Sequence, residues 1–227
     1  MAIKIFLHIL NLIKFIKSII NYLLSAPFCF YCKNYLYKYT ALCDNCFSLI
    51  KPVVSCDIII KNLNISVFAV SDYKDPLKSM ILAKTYCDRS ASVLLAQIMF
   101  KNTVINNLDF DYLIPIPLHF SRELRRGYNQ AEVIAQELAF LSKKTMIKCI
   151  KRTKKTKFQS GLSGSEREQN VKDVFEMIDM GIDFENKTVV LVDDLMTTGA
   201  TIKNCAKVLS KFKLKKIYAI IACRVCS

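Results

Sequence analysis

An alternation that begins near Leu63 restricts the fold more than any other feature of the chain. Short apolar, β-branched runs at 65–70, 112–116, 146–150, 188–192 and 217–221 are separated by helix-period stretches at 76–86, 90–100, 131–141 and 202–212. Strands joined by helical crossovers lie parallel and are covered on both faces, so the pattern predicts a doubly wound, mostly parallel α/β sheet over residues 61–227. The 227 residues hold one ordinary domain and a small appendage. With 52% hydrophobic and 23% charged residues there is ample apolar surface to bury, which excludes wholesale disorder.

Two shorter pieces precede that domain. In residues 1–26 the polar positions Lys4, His8, Asn11, Lys14, Lys17, Ser18 and Asn21 recur every three or four residues, the period of a narrow polar stripe on an amphipathic helix. Lysines interrupt the apolar run and no small-residue cleavage site follows, so neither export nor a membrane span is expected, and the cytoplasm is the expected location. Two readings of this helix stand open. It packs on the protein's own body or a partner subunit, or it lies in an anionic membrane surface, peripheral to the inner membrane.

Residues 27–60 read as a cysteine module. Cys29-x2-Cys32 and Cys43-x2-Cys46 are separated by ten residues. Each pair can turn two thiolates toward one point, and two such knuckles complete a tetrahedral four-sulfur shell, for which zinc is the usual occupant. Such a shell has no open position, so the expected role is structural. An iron–sulfur cluster is the alternative, and disulfides would require export. Cys223 and Cys226 form a lone pair, while Cys56, Cys87, Cys149 and Cys205 are singletons of the kind that usually serve as small buried hydrophobes.

The chemistry concentrates in residues 189–201, Val-Val-Leu-Val-Asp193-Asp194-Leu-Met-Thr197-Thr198-Gly199-Ala-Thr201. A buried strand delivers two acids to the carboxyl edge of the sheet, where open α/β sheets bind ligands. Adjacent carboxylates there need partners such as sugar hydroxyls or a cation. The threonines and Gly199 then run into a helix whose exposed N–H groups and positive end suit a phosphate dianion. One peptide thus offers a diol-binding acid pair beside a monophosphate pocket, an arrangement suited to a ribose 5-phosphate.

Net charge is +14, which draws polyanions. Positive charge is densest at Lys143, Lys144, Lys148, Lys151, Arg152, Lys154, Lys155 and Lys157, at the entrance of an irregular stretch over 151–171. Some twenty irregular residues inside a compact domain suggest a mobile flap that grips anions, with a merely solvated loop as the other reading.

The 189–201 stretch resembles the signature of purine-salvage-type phosphoribosyltransferases, which bind phosphoribosyl pyrophosphate (PRPP). The resemblance implies that Asp193 and Asp194 contact the ribose hydroxyls and act as the catalytic acids. Thr197, Thr198, Gly199 and Thr201 would hold the 5′-phosphate. A second constellation, Pro115-Ile-Pro117-Leu-His119-Phe-Ser-Arg122 leading to Arg126-Gly127-Tyr128-Asn129-Gln130, precedes a helix. Arg122 and Arg126 are four apart, so on a helix both guanidiniums share one face, as a pyrophosphate grip requires. Gln159, Gly161, Leu162, Glu166, Arg167, Asn170, Val171 and Phe175 follow. In this order, after a four-cysteine module, the pieces are similar to the competence-protein ComF family, which joins a zinc ribbon to a phosphoribosyltransferase-type domain. Many members carry further paired cysteines where this chain has only Cys56. The resemblance implies structural zinc, magnesium with PRPP, and a flexible loop that includes Arg152, Gln159 and Arg167. It leans to an active transferase tied to DNA uptake, with single-stranded DNA and the uptake machinery as partners. The other reading is a non-catalytic factor that binds nucleic acid through the basic loop and the zinc ribbon.

Overall fold

The computed structural model describes residues 28–37, 40–53, 55–60, 63–83, 89–118, 127–153 and 174–225. The helix expected over 1–26 lies outside the described residues. Among those described, no helix is long and apolar enough to cross a membrane.

The strands are β1 (Cys56–Ile60), β2 (Leu63–Asp72), β3 (Tyr112–Pro115), β4 (Thr145–Met146), β5 (Ile150–Arg152), β6 (Phe175–Met177), β7 (Thr188–Met196) and β8 (Lys216–Arg224). The α-helices are α1 (Asp44–Phe47), α2 (Leu77–Leu82), α3 (Arg89–Asn102), α4 (Gln130–Ser142) and α5 (Ala200–Leu209). Six strands form one sheet in the order β1-β2-β8-β7-β3-β4. Only the β1–β2 pair is antiparallel; β2–β8, β8–β7, β7–β3 and β3–β4 are parallel. This is the mostly parallel sheet that the alternating pattern predicts. The centre of it, β7, opens with five consecutive buried residues, as a strand covered on both faces must.

Two apolar layers confirm the double winding. On one face Val70, Leu113, Val190, Val192 and Ile220 pack under α2, α3 and α4. On the other, Ile65, Ile114, Val189, Leu191 and Ile217 pack under α5, with Phe175 of β6 and Phe184. Each helix faces the sheet for a local reason. In α4, Ile134, Ala135, Leu138 and Ala139 recur at helical spacing and are buried, while Asn129 caps the start by accepting the Ala131 N–H at 3.1 Å.

Three elements depart from the pattern. The run at 146–150 was expected as one strand, but it splits: β4 joins the main sheet and β5 pairs with β6 in a separate two-stranded sheet. Cys56–Ile60, which the sequence reading placed in the cysteine module, is the edge strand of the large sheet. The three-residue β6 gives no periodicity to read.

Candidate functional site

β7 carries Asp193 and Asp194 to the carboxyl edge of the sheet, where burial gives way to half-exposure. Successive strand residues point to opposite faces, so the two acids bracket the strand end. Asp193 continues the row of Val189 and Leu191 toward α5, and its charge helps to push up the Cys205 thiol beneath that helix, after burial itself. Asp194 lies on the other face, toward Tyr73 and Cys223. Burial first, and the Asp194 carboxylate second, raise the Tyr73 phenol and push Cys223 up to about 12. One oxygen of Asp193 accepts the Asp194 N–H at 2.8 Å, which fixes the local turn of the chain.

The strand then runs into the exposed Thr197 and Thr198 and into Gly199, the N-cap of α5. Gly199 has φ +73°, where the backbone favours glycine, and a Cβ there would meet the terminal Ile58 Cδ1 methyl at 2.8 Å, which would have to move aside. No side chain caps α5 at Gly199, and its first turn holds no acid. The Ala200 N–H reaches the Thr198 hydroxyl only at 3.4 Å, and Thr201 is half-buried one residue on. Exposed hydroxyls at an acid-free helix start provide what an anion needs.

Of the other predicted residues, Arg122, Arg126, His119, Gln159 and Arg167 lie outside the described residues. So do Cys87, Cys226 and the loop over 154–173. Arg152 stands on β5, half-buried, with its guanidinium 5.5 Å from the Phe175 ring centre. Its charge lowers the Cys205 thiol while that of Asp193 raises it, both smaller than the effect of burial. The Gly127–Gln130 piece is structural. Gly127 takes φ +76°, and the buried Asn129 donates to the Ile116 carbonyl at 3.1 Å while capping α4, which ties the end of β3 to the helix start. Tyr128 is buried with the Arg89 guanidinium 5.6 Å from its ring centre.

Tyr73 is a site neighbour that sequence reasoning missed. It follows β2, its N–H bonds the Arg224 carbonyl at 2.9 Å, and only the β2–β8 register brings it to Asp194. The lysines at the loop entrance also differ from expectation. Lys144 pairs with Asp109 at 3.8 Å, Lys148 with Glu132 at 2.7 Å and Lys151 with Glu176 at 3.3 Å. Three of the described lysines of the predicted anion grip therefore lie beside local carboxylates.

In the cysteine module, the sulfurs of Cys29, Cys32, Cys43 and Cys46 all lie within 4.8 Å of one another, with Cys32 and Cys43 at 3.6 Å. A tetrahedral ion with bonds of about 2.3 Å to sulfur sets its ligands about 3.8 Å apart, so the four thiols fit a metal ion. Burial opposes ionisation of Cys29, but the backbone N–H groups of Cys43, Cys32 and Tyr31 aim at its sulfur and bring the thiol down to about 6. Burial and the neighbouring thiols push Cys46 up to about 12. Four crowded sulfurs cannot all ionise against one another, and a bound dication removes that conflict. Cys149, Cys205 and Cys223 are buried apart from this cluster, and burial raises each thiol, which marks them as packing residues.

Comparison with known proteins agrees with this layout. Residues 123–226 match the phosphoribosyl transferase domain. Competence protein F of Haemophilus influenzae is 32% identical over 200 residues, covering 85% of this chain and 82% of that protein. DNA utilization protein YhgH of Escherichia coli O6:H1 is 28% identical, covering 68% of this chain and 70% of its own length. Competence protein ComFC of Bacillus subtilis is 35% identical over 99 residues, 43% of this chain and 37% of that one. A four-cysteine cluster ahead of a phosphoribosyltransferase-type sheet, shared over most of its length with a competence protein, makes this chain a member of the ComF family.

Proposed function

We propose that the chain binds PRPP, or a ribose 5-phosphate nucleotide, together with Mg2+, in the service of DNA uptake. One observation carries this reading: half-exposed Asp193 and Asp194 run directly into exposed Thr197 and Thr198 and an acid-free helix start at Gly199. Two acids flanking a strand end suit vicinal hydroxyls or a hard cation, and the turn suits a phosphate. Magnesium would supply charge neutralisation of the pyrophosphate. In the transfer itself a nitrogen nucleophile attacks the anomeric carbon while pyrophosphate leaves. The acids stabilise the positive charge that develops on the ring, and Arg122 and Arg126 take the leaving group. Positioning and electrostatics carry the rate, and no protein nucleophile is required. The cysteine module would hold zinc as a structural ion. On this reading the protein works in the cytoplasm, with the helix over 1–26 as the candidate for peripheral membrane contact.

The second reading is a non-catalytic factor that handles DNA through its basic loop and zinc ribbon. Exposed Phe28, Tyr35 and Tyr37 favour it, since they form an edge-to-face row on the module with centroids 6.0 and 5.6 Å apart. The paired entrance lysines count against its loop half. Calorimetric titration with PRPP and Mg2+ separates the two. Saturable binding is expected, with loss in the Asp193→Asn, Asp194→Asn double variant at unchanged melting temperature; an unchanged titration in that variant would refute the assignment.

A further inference from the structure

We infer that the outer face of α5 is a track for the phosphate backbone of a nucleic-acid strand. This deepens the DNA-handling side of the reading above and does not depend on the phosphoribosyl ligand.

The inference starts from charge distribution. From Leu195 to the C-terminus the chain carries Lys203, Lys207, Lys211, Lys213, Lys215, Lys216 and Arg224 and no acid. Lys203, Lys207 and Lys211 are four residues apart, while Ile202, Cys205, Ala206 and Leu209 form the buried side of the helix. Lys207 on the helix and Lys211 in the turn just after it are exposed on the opposite, solvent side, Lys203 is half-buried at its flank, and exposed Lys215 follows further on. Lys213 has Glu185 at 3.5 Å. On the elements packed against α5, Glu176 of β6 is engaged by Lys151, and Asp57 of β1 is exposed. The helix dipole favours a cation in the last turn and so accounts for Lys207, but not for a row that extends to Lys215.

The chemistry of the row selects its partner. A membrane-bound helix inserts an apolar face, whereas the apolar side of α5 is spent on the sheet. The exposed ring beside the row, Phe212, is held edge-on by Phe184 at 5.9 Å, so the face offers charge without a stacking platform. That combination suits phosphates read one after another without regard to base. The row begins at the helix whose N-terminus is the phosphate turn.

The test is fluorescence anisotropy of the full chain with a labelled oligothymidylate across a salt series. Lys207→Gln, Lys211→Gln, Lys215→Gln in combination should weaken binding about tenfold or more and flatten the log–log salt slope by about 2, at about 0.7 per lost single-strand contact. The matched triple Lys144→Gln, Lys148→Gln, Lys151→Gln should stay within about twofold of wild type. Equal losses in both triples, no loss in the first, or no binding by wild type overturn the proposal. Loss of binding to phosphatidylserine vesicles with oligonucleotide affinity unchanged also overturns it, in favour of a membrane surface. A wild type that grips the oligonucleotide yet ignores PRPP removes the phosphoribosyl reading alone.

Discussion

Among the described residues between Phe28 and Ile50 the buried apolar groups are Cys29 and Cys46 with Leu36, Ala41 and Leu42, and exposed Phe28, Tyr35 and Tyr37 are left in solvent. Across β7 and β8, by contrast, Val189, Val190, Leu191, Val192, Ile217, Ala219, Ile220 and Ile221 are wholly buried between two helical layers. The first region buries little apolar surface of its own and is the one where four thiols are placed to fit a metal ion. The second needs no ligand. The candidate site sits with the larger core, because Asp193, Asp194 and the threonine turn extend from β7.

The largest expected effect breaks the comparison if it fails. Chelation, or Cys46→Ser, should remove a contribution on the order of the 10–16 kcal/mol apparent binding of structural zinc, at the module alone. Amide exchange should become fast over 28–50 while β7 and β8 keep their protection. Leu36, Ala41 and Leu42 share an apolar cluster with α2, α3 and α4. If β7 exchanged equally fast after chelation, the two regions would be one cooperative unit.

A smaller effect sharpens the contrast from the other side. Gly199→Ala places a side chain at φ +73° and within 2.8 Å of Ile58 Cδ1. The backbone part costs about 1–2 kcal/mol. Urea unfolding should show the whole loss in the sheet domain, and adding Ile58→Ala should recover the contact part and leave the backbone part. Full recovery would mean that the glycine serves packing alone.

The smallest effect is electrostatic. Asp111 is held below the usual carboxylate range, first by the Thr188 N–H at 2.9 Å and then, against some burial, by Lys187. A depressed folded pKa gives stability that is present above the unfolded value and lost as pH falls through the folded one. Asp111→Asn should therefore lower stability slightly at neutral pH and remove part of the acid-limb slope; an unchanged slope would mean that this carboxylate does not couple to folding.

The sequence reached furthest where function and fold are contiguous in the chain. The strands β2, β3, β7 and β8 and the helices α3, α4 and α5 each announce themselves by their own periodicity. Edge strand β1 did not, because Cys56–Ile60 gains its place only by pairing with β2. The peptide 189–201 was legible because acids, hydroxyls and glycine follow one another. Tyr73 was not, since the β2–β8 register brings it to Asp194 from far along the chain.

Charge shows the same limit. The two lysine-rich stretches look alike in one dimension. Only folding sets Asp109, Glu132 and Glu176 against the lysines near residue 148 and turns Lys207, Lys211 and Lys215 out to solvent beside α5. Residue order alone fixed the alternation that makes a parallel sheet, the spacing of four sulfurs and the acid–threonine–glycine peptide, because each is a short-range pattern that backbone geometry reads directly. The tertiary structure decided which face each aspartate takes, that Ile58 lies against Gly199 and which lysines are exposed, because those depend on neighbours remote in sequence.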